Sequence, residues 1–377
     1  MAFRNPELLE TKKLGFGLMR LPKLEDGSID IEQVKVMVDK FLEAGFTYFD
    51  TAYVYEAGES EKAAKVALFD RYPRESFTFA TKLNASAAKD EQDAKQQFTT
   101  SLERTGAGYF DFYLLHNINE KTFDKYNQYN LWPFMNELKA SGKIKNLGFS
   151  FHGKHDLLRR IFTEHPEVDF CQLQVNYADM NEPAVQAAAN IAVCNEFGVP
   201  FTIMEPVKGG TLANPPASVA AVFDEANPDV SYPSWAIRFA ASQPGCLTTL
   251  SGMSNIAQME DNLATMKDFE PMGAEDLAVM DRARTIIEGI DSIKCTACEY
   301  CTPGCPMSIP IPEYFKAMNL ILIYDDQAAG ESRFKRISSN PANGLPSACI
   351  QCGQCEGACP QSLPIISYLE QVAAAFE

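Results

Sequence analysis

Residues 45–55 combine a glycine, a short apolar run and the polar side chains of Asp50 and Tyr55, in the order Gly45-Phe46-Thr47-Tyr48-Phe49-Asp50-Thr51-Ala52-Tyr53-Val54-Tyr55. The glycine follows an amphipathic pattern over Ile31 to Ala44, at the place where a helix commonly ends in a left-handed residue. Thr47 to Asp50 is short and apolar enough to form a buried strand. The stretch therefore predicts a helix, a glycine cap and a strand that ends at an acidic residue.

The same alternation of helix and strand continues from Leu14 to about Ile290. Eight strand candidates are short and mostly apolar: Leu14 to Leu18, Thr47 to Asp50, Phe77 to Thr81, Phe110 to His116, Ile144 to Ser150, Phe170 to Val175, Pro200 to Met204 and Leu247 to Ser251. These strands are too apolar for either face of their sheet to contact water, which predicts a parallel sheet covered by helices on both faces. At this length the predicted fold is α/β, a (β/α)8 TIM barrel, and an open doubly wound sheet is the alternative.

Helices are predicted between these strands. The amphipathic segments are Ile31 to Ala44, Ser60 to Phe69, Asp90 to Arg104, Leu131 to Ser141, Asp156 to Glu164 and Glu182 to Phe197. Gly142 and Gly198, like Gly45, stand where a helix would end before the next strand. No G-x-G-x-x-G follows the first strand, so a Rossmann dinucleotide site is not supported.

The composition narrows the class of protein. The 377 residues suit a large domain and a small one, which we place at residues 1–290 and 291–377. A net charge of -17 argues against nucleic-acid binding, which requires basic side chains. No apolar run approaches the roughly 20 residues of a membrane span. The polar N-terminal stretch lacks the apolar core of a signal peptide, so we expect a cytoplasmic protein.

Two cysteine runs lie near the C-terminus, Cys295-x2-Cys298-x2-Cys301-x3-Cys305-Pro306 and Cys349-x2-Cys352-x2-Cys355-x3-Cys359-Pro360. Three thiolates at this spacing can bind one 4Fe-4S cluster, and the cysteine before proline binds the other cluster of a pair. We therefore predict two 4Fe-4S clusters with crossed ligation: Cys295, Cys298, Cys301 and Cys359 on the first, and Cys349, Cys352, Cys355 and Cys305 on the second. Zinc sites and redox-sensing thiols are the alternatives.

Apolar residues after residue 291 also show helical spacing, from Tyr314 to Leu322 and from Ile365 to Val372. The cysteine-rich part is therefore predicted to be a small, mainly helical, ferredoxin-like domain.

Four polar residues stand at or just beyond the ends of consecutive strand candidates: Asp50, Tyr55, Lys82 and His116. Active sites of barrels are built at that rim. Charged groups among apolar strands are costly unless they are paired, so Asp50 and Lys82 are expected to form an ion pair. A lysine beside a tyrosine lowers the pKa of the phenol, which makes Tyr55 a candidate general acid, while His116 can orient a substrate oxygen. Each residue alone also has a structural interpretation; their joint arrangement favours catalysis.

These residues resemble the aldo-keto reductase signature. The likeness is carried by residues 45–55 with Glu61 beyond them, by Thr81-Lys82 and by Leu115-His116, and it extends over residues 14 to 290. It implies a barrel that binds NADP or NAD in an extended form and transfers hydride to a carbonyl or from an alcohol. Tyr55 would be the proton donor, Lys82 and Asp50 would adjust the pKa of its phenol, and His116 would position the carbonyl. The tail resembles that of a bacterial subgroup with a C-terminal 4Fe-4S domain.

The resemblance also implies nucleotide contacts. Ser150 and Gln174 match residues that hold the nicotinamide carboxamide. The loop that covers the pyrophosphate is matched by Pro206, Lys208, Gly209, Gly210 and Leu212, and the adenosine end by Gly252, Met253, Ser254, Gln258 and Asn262. Simple turn geometry is an equal interpretation of the three glycines. Met253 and Gln258 stand where NADPH-preferring relatives place basic residues, so a strong NADPH preference is not expected.

The purpose of the clusters stays open at this stage, because hydride transfer moves two electrons at once. Electron exchange with a ferredoxin or flavoprotein, service of a one-electron reaction in the barrel, and a structural role are the three interpretations. A non-catalytic electron-transfer or nucleotide-sensing protein is the alternative from a different class.

Overall fold

A closed barrel of eight parallel strands organises the first part of the chain. The computed structural model describes residues 3–377. The strands are β1 (Leu14–Gly17), β2 (Tyr48–Asp50), β3 (Thr78–Leu83), β4 (Phe110–Ile118), β5 (Ile144–Phe151), β6 (Phe170–Gln174), β7 (Phe201–Met204) and β8 (Cys246–Ser251). Each strand pairs with its neighbours in sequence, and β1 pairs with β8 to close the sheet. The predicted barrel is confirmed, and the open sheet is excluded.

Fifteen α-helices occur in residues 3–377. They are α1 (Ile31–Glu43), α2 (Glu59–Ala64), α3 (Glu91–Thr105), α4 (Phe123–Gln128), α5 (Leu131–Ala140), α6 (His155–Glu164), α7 (Ala187–Phe197), α8 (Ala217–Ala226), α9 (Tyr232–Ala241), α10 (Ile256–Met266), α11 (Ala274–Glu288), α12 (Ile311–Tyr324), α13 (Gln327–Ser338), α14 (Gln354–Ala358) and α15 (Ile365–Phe376).

Capping residues define where helices begin and end. The side chain of Asp30 accepts a hydrogen bond from the backbone N–H of Gln33 at 3.0 Å, which satisfies a free donor at the start of α1. Gly45, Gly142 and Gly198 have φ angles of 80°, 71° and 67°. This left-handed conformation costs glycine little, so the predicted helix ends are confirmed at all three positions.

Two predicted helices have different bounds in the structure. The pattern suggested a helix from Glu182, but α7 begins at Ala187 because Gln186 has a φ of 52°, outside the right-handed helical region. The predicted helix over Ser60 to Phe69 is divided into α2 and a π-helical turn at Lys65–Phe69. Apolar periodicity alone does not reveal such a local change of winding.

The barrel interior is packed with side chains. Seven residues from the strands form one buried cluster: Tyr48, Ala80, Phe112, Leu114, Phe170, Leu247 and Leu250. Phe112 packs edge-on against Phe170 with ring centroids 4.8 Å apart. The barrel is therefore solid rather than a pore, and ligands have access only at its ends.

The chain divides into two compact units. The first contains the residues up to Pro206 together with Pro233–Ala274, and the second contains Val207–Tyr232 and Glu275–Glu377. The segment that follows β7 thus belongs to the same unit as the cysteine runs. The domain boundary predicted after residue 290 stays a prediction.

Helices dominate the cysteine-rich part of the second unit. Its core includes Tyr314 and Phe315 from α12, Phe334 from α13, and Leu369 and Val372 from α15. The mainly helical character predicted for this region is confirmed. Among residues 3–377, no helix combines the length and the apolarity that crossing a bilayer demands.

Candidate active site and metal centres

Lys82 and Asp50 form a buried ion pair at the C-terminal ends of β3 and β2. The Lys82 ammonium lies 2.5 Å from a carboxylate oxygen of Asp50 and donates a second hydrogen bond, of 2.7 Å, to the carbonyl of Thr51. Their side chains are only 1% and 5% exposed. Burial lowers the pKa of Lys82 and raises the pKa of Asp50, while their mutual attraction opposes both changes. The pair predicted from sequence is present in the structure.

Tyr55 and His116 lie beside this ion pair. The Lys82 nitrogen is 5.0 Å from the centroid of the Tyr55 ring. The Tyr55 and His116 rings have centroids 5.6 Å apart and meet edge to face at 80°. Tyr55 comes from the turn after β2 and His116 from β4, so three neighbouring strands bring the four predicted residues together.

The surroundings of His116 favour its neutral imidazole form. Burial lowers its pKa well below the ordinary value, and the nearby positive charge of Lys82 acts in the same direction. Its backbone carbonyl accepts a hydrogen bond from the Tyr126 hydroxyl of α4. Tyr126 thus joins helix α4 to the strand that carries His116.

A second buried charge supports the same strand ends. Glu61 is fully buried and accepts hydrogen bonds from the Thr81 hydroxyl at 2.7 Å and from Arg104 at 3.1 Å. Arg104 also donates to the carbonyl of Tyr53 at 2.9 Å. These contacts link the residue before Lys82 to the loop that carries Tyr55. The sequence placed Glu61 in the signature, but it gave no signal for Arg104, which lies on α3.

The cysteines of the two runs line two separate cavities. One cavity is lined by Cys295, Cys298, Cys301 and Cys359. The other is lined by Cys305, Cys349, Cys352 and Cys355. The last cysteine of each run thus lies with the first three of the other run, which is the arrangement that crossed ligation requires.

The lining of both cavities suits iron-sulfur clusters. Apolar residues such as Ile309 and Phe315 surround the thiols, and the backbone N–H of Ala297 lies 3.4 Å from the sulfur of Cys295. Burial and the neighbouring thiols raise the pKa of Cys301 to about 12. Four thiolates in such a place need a cationic centre to stabilise them, and a cluster supplies one.

Comparison with known proteins agrees with this geometry. Residues 13–284 match the model of the aldo/keto reductase family, and residues 294–363 match that of the 4Fe-4S dicluster domain. The chain belongs to the aldo/keto reductase family. The resemblance seen in the sequence is confirmed, including its iron-sulfur tail.

Individual aldo/keto reductases match only part of the chain. Aldo-keto reductase str7 of Strobilurus tenacellus is 30% identical over 213 residues, which are 53% of this chain and 59% of that protein. The chain thus spans less than two thirds of this relative. The holo form of aldo-keto reductase AKR11C1 from Bacillus halodurans has a TM-score of 0.59 at 22% identity, covering 72% of this chain and 91% of that one. An aldo/keto reductase from Klebsiella pneumoniae in complex with NADP and acetate has a TM-score of 0.58 at 19% identity, covering the same fractions.

The residues predicted to hold the nicotinamide and adenosine ends lie near the ends of β5, β6 and β8 and on the helix that follows β8. Ser150 of β5 accepts a hydrogen bond from the backbone N–H of Asn117 at 2.7 Å, and Gln174 ends β6 and donates to Asp179 at 2.9 Å. Residues Gly252, Met253 and Ser254 follow β8, while Gln258 and Asn262 lie on α10. Gln258 accepts from the N–H of Ser254 at 2.7 Å, so the adenosine-end residues brace one another.

The residues predicted to cover the pyrophosphate follow β7. Pro206 belongs to the first unit, whereas Lys208, Gly209, Gly210 and Leu212 belong to the second. Lys208–Ala213 forms a 3-10 turn in which Gly209 and Gly210 have φ angles of 63° and 96°. A Cβ on Gly209 would overlap the carbonyl oxygen of Thr296, the residue after the first cluster cysteine.

His152 is a further polar residue in the electrostatic environment of Lys82 and His116. It follows β5, and burial together with Lys82 lowers its pKa to about 4. Its backbone N–H donates to the carbonyl of Ile118 at 2.8 Å. His152 therefore lies close enough to Lys82 and His116 to influence the charge state of the same group of residues.

Proposed function

We propose that this protein is an iron-sulfur oxidoreductase that reduces a small carbonyl compound, or oxidises the corresponding alcohol, with NADPH or NADH. The observation that carries the proposal is the buried ammonium of Lys82, which lies 2.5 Å from Asp50 and 5.0 Å from the Tyr55 ring centroid. This cation lowers the free energy of a tyrosinate and so makes Tyr55 a stronger acid.

The four side chains have distinct roles in the proposed reaction. The nucleotide, when bound, supplies the hydride that adds to the carbonyl carbon. Tyr55 gives its phenolic proton to the carbonyl oxygen, and Lys82 stabilises the phenolate that remains. His116, kept neutral by burial and by Lys82, donates a hydrogen bond that orients that oxygen. Asp50 keeps Lys82 in place and charged.

The donor chemistry of the barrel rim fits a nicotinamide nucleotide. Ser150 and Gln174, both buried, offer the hydroxyl and amide groups that a carboxamide requires. Arg20 packs beside Gly252 after β8 and lies 3.7 Å from Glu205, which supports a role for its guanidinium beside the nucleotide. Met253 is buried and Gln258 is neutral, so neither supplies a charge for a 2'-phosphate. We therefore expect NADH and NADPH to be used with similar efficiency.

The proposed protein also contains two 4Fe-4S clusters. Cys295, Cys298, Cys301 and Cys359 would hold the first, and the second would be held by Cys305, Cys349, Cys352 and Cys355. The close contact between Gly209 and Thr296 supports a role beyond structure, because it joins the predicted pyrophosphate loop to the first cysteine run within one unit. A one-electron carrier, such as a ferredoxin or flavoprotein, is the partner that this arrangement suits.

Replacing the phenol tests the assignment. Tyr55→Phe should lower turnover of a panel of carbonyl substrates by at least about 100-fold while nucleotide affinity stays the same, because general acid catalysis contributes factors of this size. Tyr53→Phe is the matched control, since Tyr53 lies in the same loop and packs on Arg104. Equal turnover in wild type and Tyr55→Phe would contradict the proposal.

A further inference from the structure

The two cysteine cavities differ in their exposure. In the described chain, Cys352 is the exposed member of the second set, whereas every cysteine of the first set is at least partly buried. The Lys208–Ala213 turn lies against the first set, because Gly209 is in close contact with the carbonyl oxygen of Thr296. The second set is therefore the one that a large partner can approach.

Apolar side chains project into solvent beside the second set. Ile350 follows Cys349 and is 60% exposed, while Leu345 is 38% and Met307 is 36% exposed. Ile350 and Met307 also line the second cavity. Gly344 donates to the carbonyl of Ser308 at 3.0 Å, which joins the chain before Leu345 to the chain after Met307. We refer to Met307, Leu345 and Ile350 as the apolar patch.

Acidic residues border the apolar patch. Gln351, next to Ile350, donates to Glu370 at 3.0 Å. The backbone N–H of Ser347 donates to Glu377 at 3.0 Å. Both glutamates are exposed, and residues 337–377 contain no lysine or arginine. Exposed apolar side chains bordered by charges of one sign are characteristic of a surface that binds a partner.

We propose that the apolar patch, with Glu370 and Glu377, is the docking surface for a one-electron carrier protein whose redox centre lies in an apolar surface ringed by lysine or arginine. The inference rests on the proposed function, because it assumes that the second cysteine set holds a cluster. In each encounter one electron passes between carrier and cluster, so that one partner is oxidised as the other is reduced and no bond forms. Attraction between Glu370 and Glu377 and the basic residues of the carrier would align the two redox centres and speed association.

The test uses the full chain with its clusters reconstituted and reduced under anaerobic conditions. Oxidised cytochrome c, a basic haem carrier, is the probe, and its reduction is followed by stopped-flow absorbance over a range of salt concentrations. Ferricyanide, a small acceptor that needs no docking surface, measures the electrons that the clusters can deliver. Glu370→Gln/Glu377→Gln removes the charged border, and Glu275→Gln/Glu331→Gln removes the same charge from exposed positions elsewhere in the unit.

The second-order rate for cytochrome c should fall about five-fold in Glu370→Gln/Glu377→Gln at low salt, and the difference should vanish near 0.5 M salt because charges are then screened, to roughly 4 Å. Ile350→Ser should lower the rate at every salt concentration, since it removes apolar contact. The control pair should match wild type. Equal effects of both charge pairs, or ferricyanide reduction without cytochrome c reduction, would overturn the docking surface alone. Failure to reduce ferricyanide would instead contradict the electron-carrying part of the proposed function.

Discussion

Gly209 and the carbonyl oxygen of Thr296 are in contact so close that no side chain fits between them. The two residues are distant in sequence and lie beside different predicted sites. Gly209 lies in the turn predicted to cover the nucleotide pyrophosphate, and Thr296 lies directly after Cys295. Nucleotide binding and the first iron-sulfur site are therefore expected to influence each other through this contact.

Gly209→Ala should disturb the first iron-sulfur site. The new methyl group would displace Thr296, so we expect faster loss of iron to a chelator and an altered electron paramagnetic resonance signal of the reduced protein. Gly210→Ala is the matched control: its φ is also positive, at 96°, but its Cβ would meet nothing within 4 Å. Both variants carry the backbone cost of a left-handed alanine, about 1–2 kcal/mol. Identical iron loss in the two variants would argue against the coupling.

Crossed ligation predicts that distant cysteines act as pairs. Cys359→Ser should alter the same cluster signal as Cys301→Ser, and Cys305→Ser should alter the same signal as Cys349→Ser, because each pair lines one cavity. Iron and sulfide analysis with spectroscopy of the reduced variants provides the measurement. If Cys359→Ser instead resembled Cys355→Ser, each run would bind its own cluster and the predicted ligand sets would be wrong.

The sequence predicted the barrel and its rim well because both depend on local rules. The position of Asp50 at the end of β2, and of Lys82 one residue before the end of β3, follows from apolar runs that meet charged residues, and the grouping of the cysteines follows from their spacing. Arg104 could not be found in this way, since its contact with Glu61 joins α3 to the segment after β2. The Gly209–Thr296 contact and the apolar patch depend on how loops distant in sequence meet, and no periodic pattern encodes that.

Barrel stability should depend on pH through His152. Its pKa is about 4 in the folded protein and about 6.5 when unfolded, so the unfolded chain binds more protons between these values. The stability is complete above pH 6.5 and falls below it, by up to about 1.4 kcal/mol per pH unit. His152→Gln should reduce this slope, and the part that remains is due to His116, whose pKa burial also lowers. Urea unfolding followed by fluorescence reports on the barrel, since both tryptophans, Trp132 and Trp235, belong to the first unit. An unchanged slope would show that the pKa of His152 is the same in the folded and the unfolded protein.

Substitutions of the buried Lys82–Asp50 pair should affect stability and catalysis differently. Lys82→Met leaves the Asp50 carboxylate buried without its cation, which we expect to cost about 3–5 kcal/mol of folding free energy. Lys82→Met/Asp50→Leu replaces both charges with apolar groups of similar size and should recover most of that loss, because neither partner is then buried alone.

Turnover should not recover in the double variant. Without the ammonium 5.0 Å from the Tyr55 ring centroid, the phenol returns to its ordinary acidity, and kcat should stay at least about 100-fold below wild type. Urea unfolding and steady-state kinetics on the same preparations measure the two effects separately. A double variant that regained both stability and turnover would show that Lys82 only fills space. A rise in the pH optimum of any residual activity would confirm that Lys82 acts on the acidity of Tyr55, because an unassisted phenol loses its proton at higher pH.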